Sequence, residues 1–231
     1  MAKTQTTQTT QEPLDIKAQI KKHLVLVIVA AVIILAGIIV GGYLLYQKNV
    51  VEPENTEAAT KIAAAQSNFN AAYYAQSLEA GNYDAALKGD AKNPGLITII
   101  NQYSGTKTAN LAKLYAGLAY YYKGEYDNAI KYLDDFTPQD DKIISNNAIV
   151  ALGDCYVAKK DYDKAISLYK KAASRADNPI VSPAALIKAG EILEKQGNAA
   201  AAVELYKQVK TQYPEAGLAE NIDKYIERAS K

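Results

Sequence analysis

The sequence predicts an all-α protein in two parts: one membrane-crossing helix near the N-terminus, then a solenoid of paired helices. Three observations carry this expectation. Leu24 to Tyr46 reads LVLVIVAAVIILAGIIVGGYLLY, with no charge, no proline and no amide. A glycine recurs at Gly117, Gly153 and Gly190, at spacings of 36 and 37 residues. An alanine recurs in the same register at Ala129, Ala165 and Ala202.

The apolar run is long enough to cross a bilayer. As a helix it spans about 34 Å, against about 30 Å of hydrocarbon. A secretory signal has a shorter apolar core, about 7–15 residues, followed by a small-x-small cleavage site. No such site is evident after Tyr46, so an uncleaved anchor is expected. Lys17, Lys21 and Lys22 precede the run closely and only Lys48 follows it closely. That bias favours an orientation with the N-terminus inside and the C-terminus outside. His23 sits at the boundary as an interfacial residue. Gly37 and Gly41 form a GxxxG, a spacing that lets another helix approach closely or that simply faces lipid.

Charge and cysteine usage narrow the function. The 231 residues carry a net charge of +1. In residues 1–23 four lysines stand against two carboxylates, so the remainder is near −1. No broad basic face is available and nucleic acid is not an expected partner. Cys155 is the only cysteine, so the chain must fold without an intrachain disulfide. Residues 1–23 open with the polar, repetitive MAKTQTTQTTQE and read as a disordered basic cytoplasmic tail.

After the span, Pro53 marks an exit at which a helix can restart, because proline is tolerated in a first turn. Residues 54–80 are alanine-rich, with Ile62, Phe69, Tyr73, Tyr74 and Leu78 placed for one face of a long helix. Gly81-Asn82 turns the chain, Tyr83 to Leu87 begins another helix, Gly89 to Gly95 breaks it, and Leu96 to Tyr103 is a short apolar helix. Residues 54–109 thus read as an N-terminal cap or degenerate repeat, residues 110–214 as three repeats, and residues 215–231 as a closing helix. Its expected stripe is Leu218, Ile222, Tyr225 and Ile226.

The repeats resemble the tetratricopeptide motif, a helix–turn–helix with a nominal period of about 34 residues. Gly117, Gly153 and Gly190 lack a side chain where the two helices of a pair must approach. Ala129, Ala165 and Ala202 keep the second helix close to the first. Gly124 and Gly197 can supply positive φ at the turn within a repeat; Lys160 stands there in the second repeat. The extra residues of each period fall near Thr137 to Asp141 and Asn178 to Pro183, between repeats.

Catalytic, cofactor-binding and metal-binding residues are not expected. Cys155 sits beside packing positions and reads as a buried thiol. Asp140, Asp141, Asp161 and Asp163 fall in loops or helix starts, where they can cap backbone N–H groups. The candidate binding face is the concave side, lined by the first helix of each pair. It comprises Leu111, Leu114, Leu118, Tyr121 and Tyr122, then Asn147, Val150, Asp154 and Val157, then Ile187, Glu191 and Glu194. This face reads as apolar at its start and acidic toward its end. Its start could hold an apolar polypeptide segment or be filled by the chain's own N-terminal helices.

The whole order is basic tail, one span, alanine-rich helix and repeats. With the stretches YDAALKGD (83–90), IINQYSGTKTANLAKLYAGLAYYYKGEYDNAIKYL (99–133) and ALGDCYVAKKDYDKAISLYKKAA (151–173), it resembles the YfgM-like family of ancillary SecYEG translocon subunits, in its Bacteroidota form. The resemblance implies a non-enzymatic periplasmic scaffold or chaperone accessory, anchored in a bacterial inner membrane. Its implied partners are SecYEG, a membrane-anchored periplasmic folding factor and unfolded secretory chains. A structural adaptor of another cell-envelope complex is the alternative.

Overall fold

A computed structural model of the chain describes residues 16–75 and 82–231. The chain divides into two compact units, Met1–Val51 and Glu52–Lys231. Among the described residues the regular structure is helical, apart from one isolated bridge between Gly89 and Pro94.

The first unit contains helix α1, Ile16–Tyr46, followed by a π-helical turn, Gln47–Val51. The large apolar side chains of Leu24 to Tyr46 stand exposed, as an uninterrupted apolar surface requires when its solvent is lipid. A Cβ built at Gly37 or Gly41 meets nothing within 4 Å, so the small-residue face is open. Residues 16–23, expected within the tail, are helical instead. Ile16, Ala18 and the lysines tolerate helix, and extending an existing helix avoids the unfavourable nucleation step. The remainder of the expected tail, residues 1–15, lies outside the described residues.

The second unit opens with α2, Glu52–Ala75, whose second residue is Pro53. Its buried stripe is Ala58, Ile62, Ala65, Phe69 and Ala72, spaced by four and three. Tyr73 and Tyr74, expected on that stripe, are exposed; alanines supply the close contact instead. Leu78 and Gly81 lie outside the described residues. Two short helices follow, α3 (Asp84–Lys88) and α4 (Leu96–Gln102). Between them the backbone pinches back on itself at Gly89, where φ is +76°. Ala58, Phe69, Tyr83, Leu87, Leu96, Ile99 and Ala112 form one core here.

Three helix pairs come next: α5 (Lys107–Tyr122) with α6 (Tyr126–Asp134), α7 (Ile144–Ala158) with α8 (Tyr162–Ala176), and α9 (Ser182–Lys195) with α10 (Ala199–Gln212). The glycine in the first helix of each pair sits against a residue 16 positions later in the second. A Cβ at Gly117 would meet Leu133 at 2.6 Å, one at Gly153 the Tyr169 ring at 2.6 Å, and one at Gly190 the Tyr206 ring at 2.4 Å. Ala129, Ala165 and Ala202 are fully buried at the same junctions. The sequence period is therefore a contact period.

The turns within the pairs share one geometry. Asp161 N–H donates to Tyr156 C=O at 2.9 Å and Lys160 N–H to Val157 C=O at 2.9 Å. Asn198 and Gly197 do the same to Leu193 and Glu194, at 2.8 and 2.9 Å. This is a helix-ending motif whose penultimate residue is left-handed. Gly124 and Gly197 have φ of 75° and 78°, and Lys160 is held at 65°. Lysine in that conformation costs about 1 kcal/mol relative to glycine. Lys160→Gly is therefore expected to raise stability by about 1 kcal/mol in urea unfolding.

The chain closes with a 3₁₀ turn, Gly217–Asn221, and α11, Ile222–Ala229. Ile222 is buried, and Tyr225 and Ile226 pack against the last repeat. Leu218, expected on their stripe, is exposed because the 3₁₀ turn breaks the helical register before Ile222.

Candidate functional site

The first helices of the three pairs, α5, α7 and α9, carry the residues expected on the concave face. At its start the chain covers itself. Tyr122 stacks on Tyr83 with ring centroids 5.6 Å apart, and lies 5.3 Å from Tyr73 and 6.4 Å from Phe69. Phe69 also meets Tyr115 edge-on at 5.0 Å. Burial, followed by the neighbouring Tyr73, pushes the Tyr122 phenol up to about 12. The alternative of intrachain packing therefore holds at Tyr122. Leu111 and Leu118 are half-buried between two cores. Leu114 and Ile187, expected on the open face, are closed off in the cores. Each lies in a core shared with a neighbouring pair, so helical phase alone could not separate groove from junction.

At mid-groove Asp154 gathers groups from three successive pairs. Its Oδ1 accepts from Tyr169 Oη at 2.5 Å and from Lys188 Nζ at 2.6 Å. Tyr121 Oη reaches its Oδ2 at 3.5 Å. Tyr169 is buried, and burial together with its bond to the Asp154 carboxylate raises its phenol above the usual range. Burial, then the Asp154 charge, pushes Tyr121 up to about 12.

Glu194 repeats the arrangement one pair later. It accepts from Tyr206 Oη at 2.7 Å and from both sides of the Arg228 guanidinium, at 3.0 and 2.5 Å. Arg228 belongs to α11, so the closing helix is tied to the groove by a two-point charge pair. In both clasps the cation follows the carboxylate by 34 residues: Lys188 after Asp154, and Arg228 after Glu194. Tyr169, Lys188, Tyr206 and Arg228 were not among the residues expected on the binding face. The 34-residue offset between carboxylate and cation is the signal that could have found them. It also corrects the expected acidic end, because Asp154 and Glu194 are each matched by a cation.

The rest of the expected face lies on α7 and α9. Asn147 is exposed, and Val150, Val157 and Glu191 are half-buried. Glu191, Glu194, Lys195 and Arg228 line a cleft at its far end. Cys155 lies behind this face, fully buried, and burial pushes its thiol up to about 12. Among the described residues no group of three His, Cys, Asp or Glu side chains is placed to hold a metal ion.

A tetratricopeptide repeat model matches residues 114–179 and again 150–217. The two windows start 36 residues apart, the spacing of Gly117 and Gly153. The helix pairs over residues 114–217 are thus tetratricopeptide-like. Tetratricopeptide repeats are protein-interaction scaffolds and in general are not enzymes. No curated protein matches the chain.

The second clasp gives the tetratricopeptide unit a definite acid response. Arg228, then Tyr206, holds the Glu194 carboxyl below its ordinary value of 4.5. A carboxylate lowered on folding contributes stability above the unfolded value and loses it as pH falls through the folded one. Docking of α11 is thus expected to hold at neutral pH and weaken only below pH 4.5. Hydrogen exchange of the α11 amides against pH checks this, with Arg228→Ala expected to remove the pH step.

Proposed function

We propose that this protein is a membrane-anchored, non-enzymatic scaffold that receives polypeptide on the concave face of α7 and α9. The supporting observation is the groove itself. Its first part is filled by α2, while Asn147, Val150, Val157 and Glu191 remain accessible beside two charge-matched clasps. A surface of half-buried valines with satisfied polar groups suits an extended, partly apolar segment.

The apolar α1 acts as a single span with the repeats on the outer side, following the lysine bias around Leu24 to Tyr46. In a bacterial inner membrane that side is periplasmic. The resemblance to ancillary SecYEG subunits then favours a place beside the translocon, with secretory chains or a membrane-anchored periplasmic folding factor as partners. Gly37 and Gly41 offer a close-approach face for a neighbouring helix in that setting.

Photo-crosslinking in cells from position 157, with identification of the adducts, tests this reading. Translocon subunits and secretory chains are the expected adducts. A single fixed partner outside the translocon would instead make the protein a structural adaptor of another envelope complex.

A further inference from the structure

The exposed large aliphatic side chains of the second unit share one edge. Among its described residues they are Ile143, Ile144, Ile180 and Leu218, at 42, 61, 63 and 48% exposure. The other exposed large apolar side chains there are tyrosines: Tyr73, Tyr74 and Tyr162. Ile143, Ile180 and Leu218 recur at spacings of 37 and 38, one at each junction that leads into α7, α9 or α11.

Side-chain stitches join these junctions into one edge. Asn178 Nδ2 donates to the Lys142 carbonyl at 2.9 Å, beside Ile143, and Asn178 Oδ1 accepts from Ile180 N–H at 2.9 Å. Tyr213, in the junction that carries Leu218, donates to Asp177 at 3.1 Å. In the other direction Asn110 and Thr137 exchange two bonds of 2.8 Å. Asn55 Oδ1 accepts from Thr108 N–H at 2.9 Å, which sets the first turn of α2 beside the first turn of α5. The chain therefore enters this unit, at Glu52, on the edge that carries the aliphatic residues. The nearby cleft is lined by Thr106, Lys107, Asn110, Lys113 and Gln139 and leaves the four outside it.

We propose that this edge docks on the surface of the bilayer that carries α1, with Ile143, Ile144, Ile180 and Leu218 reaching the headgroup–acyl boundary. The inference rests on reading α1 as a span. Protruding aliphatic side chains fit a fluid apolar boundary better than a shaped protein surface. A covalent tether entering on the same edge holds the boundary at high effective concentration, so four side chains suffice where a free protein would need more. The edge carries both Lys107 and Lys142 and also Asp140 and Glu215, so the contact is apolar and insensitive to salt.

The test uses the full chain in proteoliposomes. Lys142→Cys and, as a control in the first turn of α6, Asn128→Cys are each labelled with an environment-sensitive fluorophore; the buried Cys155 stays unlabelled. Lipids with a quencher near the headgroup are expected to quench the label at 142 and not that at 128, at low and high salt alike. Adding Ile144→Ser, Ile180→Ser and Leu218→Ser is expected to cut the quenching about threefold or more, with the helical circular dichroism retained. An unquenched label at 142 in chains that resist alkaline extraction would overturn the docking and leave the span standing. Chains released by alkaline extraction would overturn both. A blue-shifted but unquenched label at 142 would assign the edge to protein contact and overturn the lipid reading.

Discussion

Alanine at Gly190 is expected to lower the stability of the repeat unit by about 3 kcal/mol. The new Cβ would lie 2.4 Å from the Tyr206 ring, which is fully buried. Shifting the ring also breaks the bond from Tyr206 to Glu194, and with it the seat of Arg228. Steric and polar losses therefore add at one site. The same substitution at Gly217, where a Cβ meets nothing within 4 Å, is the control and is expected to be neutral. In denaturant unfolding Gly190→Ala with Tyr206→Ala should be less than additive, because the smaller residue removes the clash.

Asp154→Ala is expected to cost about 2–3 kcal/mol. It strands the buried Tyr169 hydroxyl and removes the carboxylate paired with Lys188. Because Asp154 bonds to groups from its own pair and from the next, the loss falls on the α7–α9 junction. Asp154→Asn keeps an acceptor and should cost less. Lys188→Met in the Asp154→Ala background should recover part of the loss, since it removes the unpaired charge. Asp127, paired with Lys159 at the surface, is the comparison, and its alanine variant is expected to leave the midpoint unchanged.

The fold was legible wherever one residue had one steric job. Gly117, Gly153 and Gly190 announced the close helix contacts because no other side chain fits there. Lys160 occupies a left-handed turn that only its place in the period revealed. The site was less legible, for a physical reason. A tetratricopeptide helix position does not say whether a neighbouring helix covers it. Tyr121 and Tyr122 are adjacent in sequence, yet Tyr122 packs against Phe69, Tyr73 and Tyr83 while Tyr121 turns toward Asp154. Tyr73 lies nearly fifty residues from Tyr122, beyond any helical period. The clasps were hidden for a related reason: each carboxylate reads as a solvated groove charge until its cation from the next pair or from α11 is placed. Leu218 was misread because a 3₁₀ turn rotates side chains out of the 3.6-residue phase.

The central claim is that α7 and α9 present the binding face and that α2 closes the part before it. A photoreactive residue placed in turn at Tyr122, Val157, Glu191 and, on the second helix of the same pair as Val157, at Lys170 tests it in the full chain in its membrane. Intermolecular adducts are expected from positions 157 and 191, only intrachain products with α2 from 122, and none from 170. Intermolecular adducts from 122 or 170 at yields equal to those from 157 would contradict the account.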